Sequence, residues 1–377
     1  MNNKAHDFLR GLTNNEEVIQ EVLEYTQNKF VKPSFSKFSK EEKYIETWEA
    51  YNEESKLLGV FKTLKKYIVQ LQFPVKAGIS STEAYKNVTL RGKENTTNSN
   101  LLLEDENALW LDIYESKLIG KVPVLIVSNV NDFKTLVCAF SNKNEPADLP
   151  KSMGAAFIKG INNWDRISKL KKAWQEEKTA ISWNQFFKQE ILPNRDLYQD
   201  KLIILSTKPY SGVVHEVLNI SESLWQEASV DIRKEHECAH LFTLNYYGQM
   251  AKNIHDELIA DYAGIIRVLG KFDKNWMLHF LGLESYPNYR NGGRFQNYMN
   301  DNCSSEAFKC LVTITKKAID TIQEFDSELG NVTSEEDRLS RIKSICEVDI
   351  LSMASDQGKE ILSDVYRKNR IVNEAIL

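Results

Sequence analysis

The chain has 377 residues and a formal charge of −5, with 48 Lys and Arg against 53 Asp and Glu. Hydrophobic residues make up 42% and charged ones 27%, a globular mixture that excludes disordered and fibrous classes. The slight acidic excess draws no phosphate backbone toward it, which argues against nucleic acid as a partner. The length allows one elaborate domain or two to three modest ones.

The N-terminus MNNKAHDFLRGLTNNEEV lacks the apolar core of an export signal, and the longest apolar runs, such as residues 122–127, are far too short to span a bilayer. The expectation is therefore a cytoplasmic protein without a membrane partner. Five scattered cysteines (Cys138, Cys238, Cys303, Cys310, Cys346) without a CxxC pair argue against a disulfide framework or a cysteine-based zinc knot.

Residues from about 15 to 72, including EEVIQEVLEYTQNKF and EESKLLGVFKTLKKYIVQL, carry apolar positions every three or four and predict a helical N-terminal region, 1–72. A β-rich region, 73–200, follows, with LLLEDENALWLDIYE and KVPVLIVSN as strands. Within it the polar segment 91–100, RGKENTTNSN, predicts a mobile hairpin loop, and 141–154 a long connection. A helical piece is expected from around Trp164 to Trp183. From 201 to 377 the pattern is mainly helical, and this part and 73–200 could form one continuous domain. It opens with the buried-looking strand LIILS, residues 202–206. Ser221 or Asn219 can cap a helix that runs from Glu222 to Tyr247 and stops at Gly248. A further helix starts near Asn253 and ends at Gly270.

The first of these two helices contains HECAH, residues 236–240, with two of the chain's six histidines four positions apart. On a helix that spacing puts both imidazoles on one face, one turn apart. A catalytic zinc takes three protein ligands and a water, and Glu237 beside His236 can accept that water's proton, the logic of HExxH. The bland alternative is a chance match on an ordinary helix.

The second helix carries Glu257 and Asp261, again one turn apart, among Leu258, Ile259, Ala260 and Ala263. A glutamate from an antiparallel helix can complete the ligand set His236, His240, Glu257, and Asp261 can accept from the far nitrogen of a zinc histidine. His255 competes for the third-ligand place, but it lacks an i+4 carboxylate. Both remain candidates, with Glu257 preferred.

His236-Glu237-x-x-His240 with Glu257-x-x-x-Asp261 resembles the gluzincin zinc metallopeptidases, of which thermolysin is a member. The resemblance implies a zincin-like α+β core, a mixed sheet with active-site helices, flanked by helical N- and C-terminal parts. It assigns the metal to His236, His240 and Glu257, general base to Glu237 and the histidine's partner to Asp261. It covers only the stretch from His236 to Asp261. The gap of 16 residues between His240 and Glu257 is short for that group, and Asp256 stands where Asn is common. Metzincins need Gly and His where this chain has Thr243 and Tyr246. Elsewhere SMGAAFIKGINNWDRI and YRNGGRFQNYM resemble an uncharacterised bacterial family.

An oxyanion donor is also required, and Arg294 and Tyr298 in YPNYRNGGRFQNY are named for it against the alternative of a surface turn. Strand 202–206 is expected to border the metal cleft and pair with an extended substrate, or else to be wholly buried. Tyr210 and Ser211 are placed near the rim and the 286–298 loop opposite. Cys238 reads as a buried thiol, the Trp residues 164, 174, 183 and 225 as core, and Ser211 and Gly292-Gly293 as neither nucleophile nor phosphate loop. The tail, with a capping box at Thr333-Ser334-Glu335-Glu336, reads as scaffold. The expected function is a zinc-dependent hydrolase of a peptide or small amide substrate. The alternatives are a biosynthetic amide-bond enzyme with a small or carrier-bound substrate, and a non-catalytic protein with a structural or vestigial metal site.

Overall fold

The computed structural model describes residues 2–30, 42–97, 100–150, 153–177 and 181–374. The fold is α+β, as expected: four strands in one mixed sheet and many helices. Two compact units do not follow the three stretches read from sequence. One is Ser39–Lys208; the other joins the chain's first 38 residues to Pro209–Leu377.

The first unit holds the sheet, ordered β1-β2-β4-β3 from Leu109–Ser116 (β1), Gly120–Val127 (β2), Ala155–Asn162 (β3) and Gln199–Ser206 (β4). β4 pairs with β2 in parallel and with β3 antiparallel. LIILS therefore has a ladder on each side and no edge to offer a substrate, which corrects the strand-pairing expectation. Leu202 through Leu205 are all fully buried, as an interior strand's continuous apolar run requires. Trp48, Tyr51, Phe61 and Leu64, from helices Ile45–Leu58 and Val60–Tyr67, pack with Leu111, Leu125, Val127, Leu202 and Ile204 in one core.

The β-rich reading of 73–200 is also too simple, because helices such as Glu83–Thr89 and Val130–Ser141 interrupt it. Asn129 caps the latter by accepting from Asn131 and Asp132 amides, and Phe133, Leu136 and Val137 recur at helical spacing toward the core. The described part of segment 91–100 has neither helix nor strand, but it links a helix to β1 and is not a hairpin; residues 98–99 lie outside the described chain. The 141–154 connection is irregular where described, and residues 151–152 lie outside.

The second unit is helical. Its long helix Glu222–Tyr247 is capped by Ser221, whose hydroxyl accepts from the Leu224 amide, and ends at Gly248 with φ 82°. Helix Ile254–Leu269 is capped by Asn253 and ends at Gly270 with φ 70°. Both caps and both stops are those the sequence indicates. Helix Glu16–Tyr25 belongs to this unit too: the Tyr25 hydroxyl accepts from the Ile254 amide, a first-turn donor of the second helix, at 3.0 Å. Tail helix Glu335–Glu347 grips both long helices from behind, with Arg338 on Glu235 (2.7 Å) and on the Ala263 carbonyl (3.4 Å). No helix among the described residues is long and apolar enough to cross a membrane.

Candidate metal centre

Helices Glu222–Tyr247 and Ile254–Leu269, hereafter the motif helix and the carboxylate helix, run antiparallel. Ile232 meets Gly264, His236 meets Asp261 and Glu257, and Thr243 meets Asp256. Close approach requires Gly264, because a Cβ there would stand 2.8 Å from Ile232 Cγ2 and 2.9 Å from its carbonyl oxygen. The result is a buried trio, His236, His240 and Glu257, able to hold a metal ion.

The two imidazoles face each other Nε2 to Nε2 at 3.1 Å. Glu257 straddles them, with Oε2 3.5 Å from His236 Nε2 and Oε1 3.4 Å from His240 Nε2. Three ligands about 2.0–2.1 Å from zinc in a tetrahedron stand roughly 3.3 Å apart, close to these spacings. Glu257 Oε2 is buried and accepts no hydrogen bond among the described residues, a costly state for a carboxylate oxygen without a cation.

Each imidazole has a carboxylate behind it. Asp261 Oδ1 lies 2.9 Å from His236 Nδ1 and Asp256 Oδ2 lies 3.4 Å from His240 Nδ1, an ion-pair contact longer than a good hydrogen bond. Asp256 is itself held by the Ala251 and Lys252 amides. Such partners fix ring orientation and tautomer at metal-binding histidines. Burial disfavours charge at His240, Glu257 and Asp261, yet the opposite charges win. Asp256 and Glu257 hold His240 well above its ordinary pKa, His240, His236 and Arg294 hold the Glu257 carboxyl below its own, and Arg294 and His236 hold Asp261 well below the carboxylate range.

Glu237 is 8% exposed, comparable to His236, His240 and Glu257 at 6% each. Its carboxylate makes no hydrogen bond or ion pair among the described residues and acts on the Arg233 guanidinium, one turn before it, through charge alone. His255 turns away: its Nε2 sits 2.8 Å from the Ile345 carbonyl, its ring lies edge-on to Phe30, and burial lowers its pKa. Cys238 and Trp225 are buried as expected.

Arg294 and Tyr298 lie on a short 3-10 turn, Arg294–Tyr298, after Gly293, whose Cα comes so close to Gly282 that a Cβ would stand 2.8 Å from the Gly282 Cα and from the Leu281 carbonyl oxygen. Arg294 is engaged rather than free. One terminal nitrogen donates to Asp261, the other to the Tyr210 hydroxyl at 2.8 Å, and Glu257 Oε2 is 4.0 Å away. Tyr298 stacks near the Arg294 guanidinium (5.8 Å), and its hydroxyl has no partner among the described residues. Burial, with Glu257 and Asp261 adding and Arg294 opposing, keeps it protonated well above the ordinary tyrosine range.

Two residues escape the sequence reading. Tyr210, expected only at a rim, reaches the Nδ1 of His236 at 2.9 Å. Asp256 stands out in sequence only as the neighbour of Glu257, and its place behind His240 depends on how the two helices meet. Tyr210 has no spacing signal at all, lying 26 residues before His236.

No curated protein and no solved structure matches this chain. From residue 7 to residue 357 the sequence does match one family of unknown function, DUF7005, and the chain belongs to it.

Proposed function

We propose that the protein is a zinc-dependent hydrolase of a peptide or other amide bond, with a gluzincin-like arrangement of ligands. The observation that carries this reading is the convergence of His236 Nε2, His240 Nε2 and Glu257 at 3.1–3.5 Å, the ligand spacing of tetrahedral zinc. Zinc held by these residues supplies a Lewis acid and a water acidified to a pKa of about 7. Glu237, adjacent to His236 and without a hydrogen bond among the described residues, takes up the proton lost in the attack. Asp261 and Asp256 orient the two rings. Of the two residues named as oxyanion donors, Tyr298 has the unengaged hydroxyl, and its raised pKa keeps it a donor. Arg294 acts on Asp261 and Tyr210 instead.

The low exposure of the three ligands favours a second reading, a closed and purely structural metal site. Glu237→Gln separates the two. Metal analysis of the purified protein is expected to find about one zinc per chain, in wild type and variant alike. A mixed peptide library is expected to be cleaved by the wild type and spared by Glu237→Gln. A protein that neither carries nor takes up zinc overturns the proposal, and a variant that cleaves as well as wild type removes Glu237 from the reaction.

A further inference from the structure

We infer that Tyr210 is a positioning residue of this centre, its phenol hydroxyl holding His236 and Asp261 so that Nε2 of His236 points at Glu257 and His240. The metal role rests on the zinc reading above; the hydrogen-bond role does not.

The geometry is specific at both ends of the side chain. Tyr210 sits in a tight turn, Tyr210–Gly212, in which Ser211 has φ +53°, a left-handed conformation that is strained for a non-glycine residue. The motif helix clips this turn at three places. Trp225 Nε1 donates to the Val213 carbonyl at 2.7 Å, the Ser229 hydroxyl accepts from the Tyr210 amide at 3.0 Å, and Arg233 donates to the Pro209 carbonyl at 3.0 Å. Residues 225, 229 and 233 recur every four positions, so one helix stripe fixes the turn and leads to His236. The ring is packed edge-on against Phe280 at 4.8 Å, with the Arg233 and Arg294 guanidiniums 5.3 and 5.0 Å from its centroid.

The hydroxyl's hydrogen bonds form a closed set. A phenol has one proton to give and two lone pairs. The proton goes to Asp261 Oδ1 at 2.6 Å, one lone pair accepts from Arg294 Nη1 at 2.8 Å, and the other faces His236 Nδ1 at 2.9 Å. With the phenol proton given to Asp261, the phenol oxygen and Asp261 Oδ1 are both acceptors toward Nδ1. His236 therefore carries a proton on Nδ1. Its Nε2 faces the other ligands, where a metal requires an unprotonated nitrogen.

Tyr210→Phe keeps the ring and deletes the hydroxyl. In chelator competition the variant is expected to hold zinc about 10-fold more weakly, the lower end of what such outer contacts contribute. In the metal-free protein, two-bond 1H–15N spectra of labelled histidine are expected to show His236 protonated at Nδ1, with that proton's resonance moved in the variant. Wild type is also expected to give a nuclear Overhauser contact between the His236 Nδ1 proton and the Tyr210 ring protons next to the hydroxyl, a measurement that needs no variant to fold. Unchanged affinity with an unchanged Nδ1 resonance overturns the inference, as does a missing Overhauser contact. A wild type that takes up no zinc overturns the hydrolase reading, and the metal-free spectra then decide on Tyr210 alone.

Discussion

Gly264→Ala tests whether the candidate metal centre depends on how closely the two long helices approach. The added Cβ would stand 2.8 Å from Ile232 Cγ2, 2.9 Å from the Ile232 carbonyl oxygen and 3.3 Å from its Cα. Ordinary contact begins at about 3.4 Å or beyond, so the helices must separate by roughly half an ångström. Ile232 is fully buried and two of the three clashes are with its backbone, so no rotamer change relieves them. Overpacking of this kind costs about 1–3 kcal/mol, while Ala in place of Gly inside a helix returns about 0.5–1 kcal/mol. A net loss of about 0–2.5 kcal/mol, centred near 1 kcal/mol, is expected from these two terms, read as a lower urea midpoint of the metal-free protein with an unchanged slope. Gly264 lies three residues beyond Asp261, so the same displacement widens the spacing between His236 and Glu257, and zinc affinity is expected to fall with stability. A variant more stable than wild type would show that the contact is not tight and refute the reasoning.

The third ligand can be decided by chelator competition: Glu257→Gln is expected to weaken zinc retention most, Asp261→Asn by about 10 to 100-fold, and His255→Ala hardly at all, since its ring bonds the Ile345 carbonyl. Retention lost in His255→Ala and kept in Glu257→Gln would reverse the assignment. In the scaffold behind the site, Asp337 is buried and accepts from Arg341, Tyr366 and the Thr333 amide, which together overcome burial and lower its pKa. A carboxylate with a depressed folded pKa stabilises above its unfolded value of about 3.9 and loses that contribution as pH falls through the folded value. Asp337→Asn is thus expected to cost about 1.5–3 kcal/mol at pH 7, with the difference from wild type shrinking below about pH 4 in unfolding titrations. A difference independent of pH would mean that the charge is not what matters there.

What the sequence determined by itself was local. Ser221, Gly248, Asn253 and Gly270 mark the ends of the two long helices because capping and left-handed stops involve only the residues beside them. The four-residue spacings of His236 with His240 and of Glu257 with Asp261 make each pair a neighbour on its own helix, whatever else the chain does. The same local logic misled where neighbours were not decisive. Residues 130–141 carry β-type side chains yet form a helix, because Asn129 caps them and their apolar stripe meets the core. LIILS was compatible with an edge or an interior strand, and only the pairing with both β2 and β3 decided it.

Tertiary structure alone brought distant segments to the site. It turned His255 toward Ile345 and set Glu257, the residue preferred from the sequence, beside His236 and His240. Asp256 stands behind His240 because antiparallel helices packed at Gly264 bring it there. Arg294 reaches Asp261 from a turn that needs a glycine against Gly282, and Tyr210 reaches His236 from a strained turn clipped to the motif helix. None of these contacts has a spacing in the chain that could announce it. They arise because packed elements leave only certain side chains within hydrogen-bond reach of a buried group, and a buried group must find its partners among them.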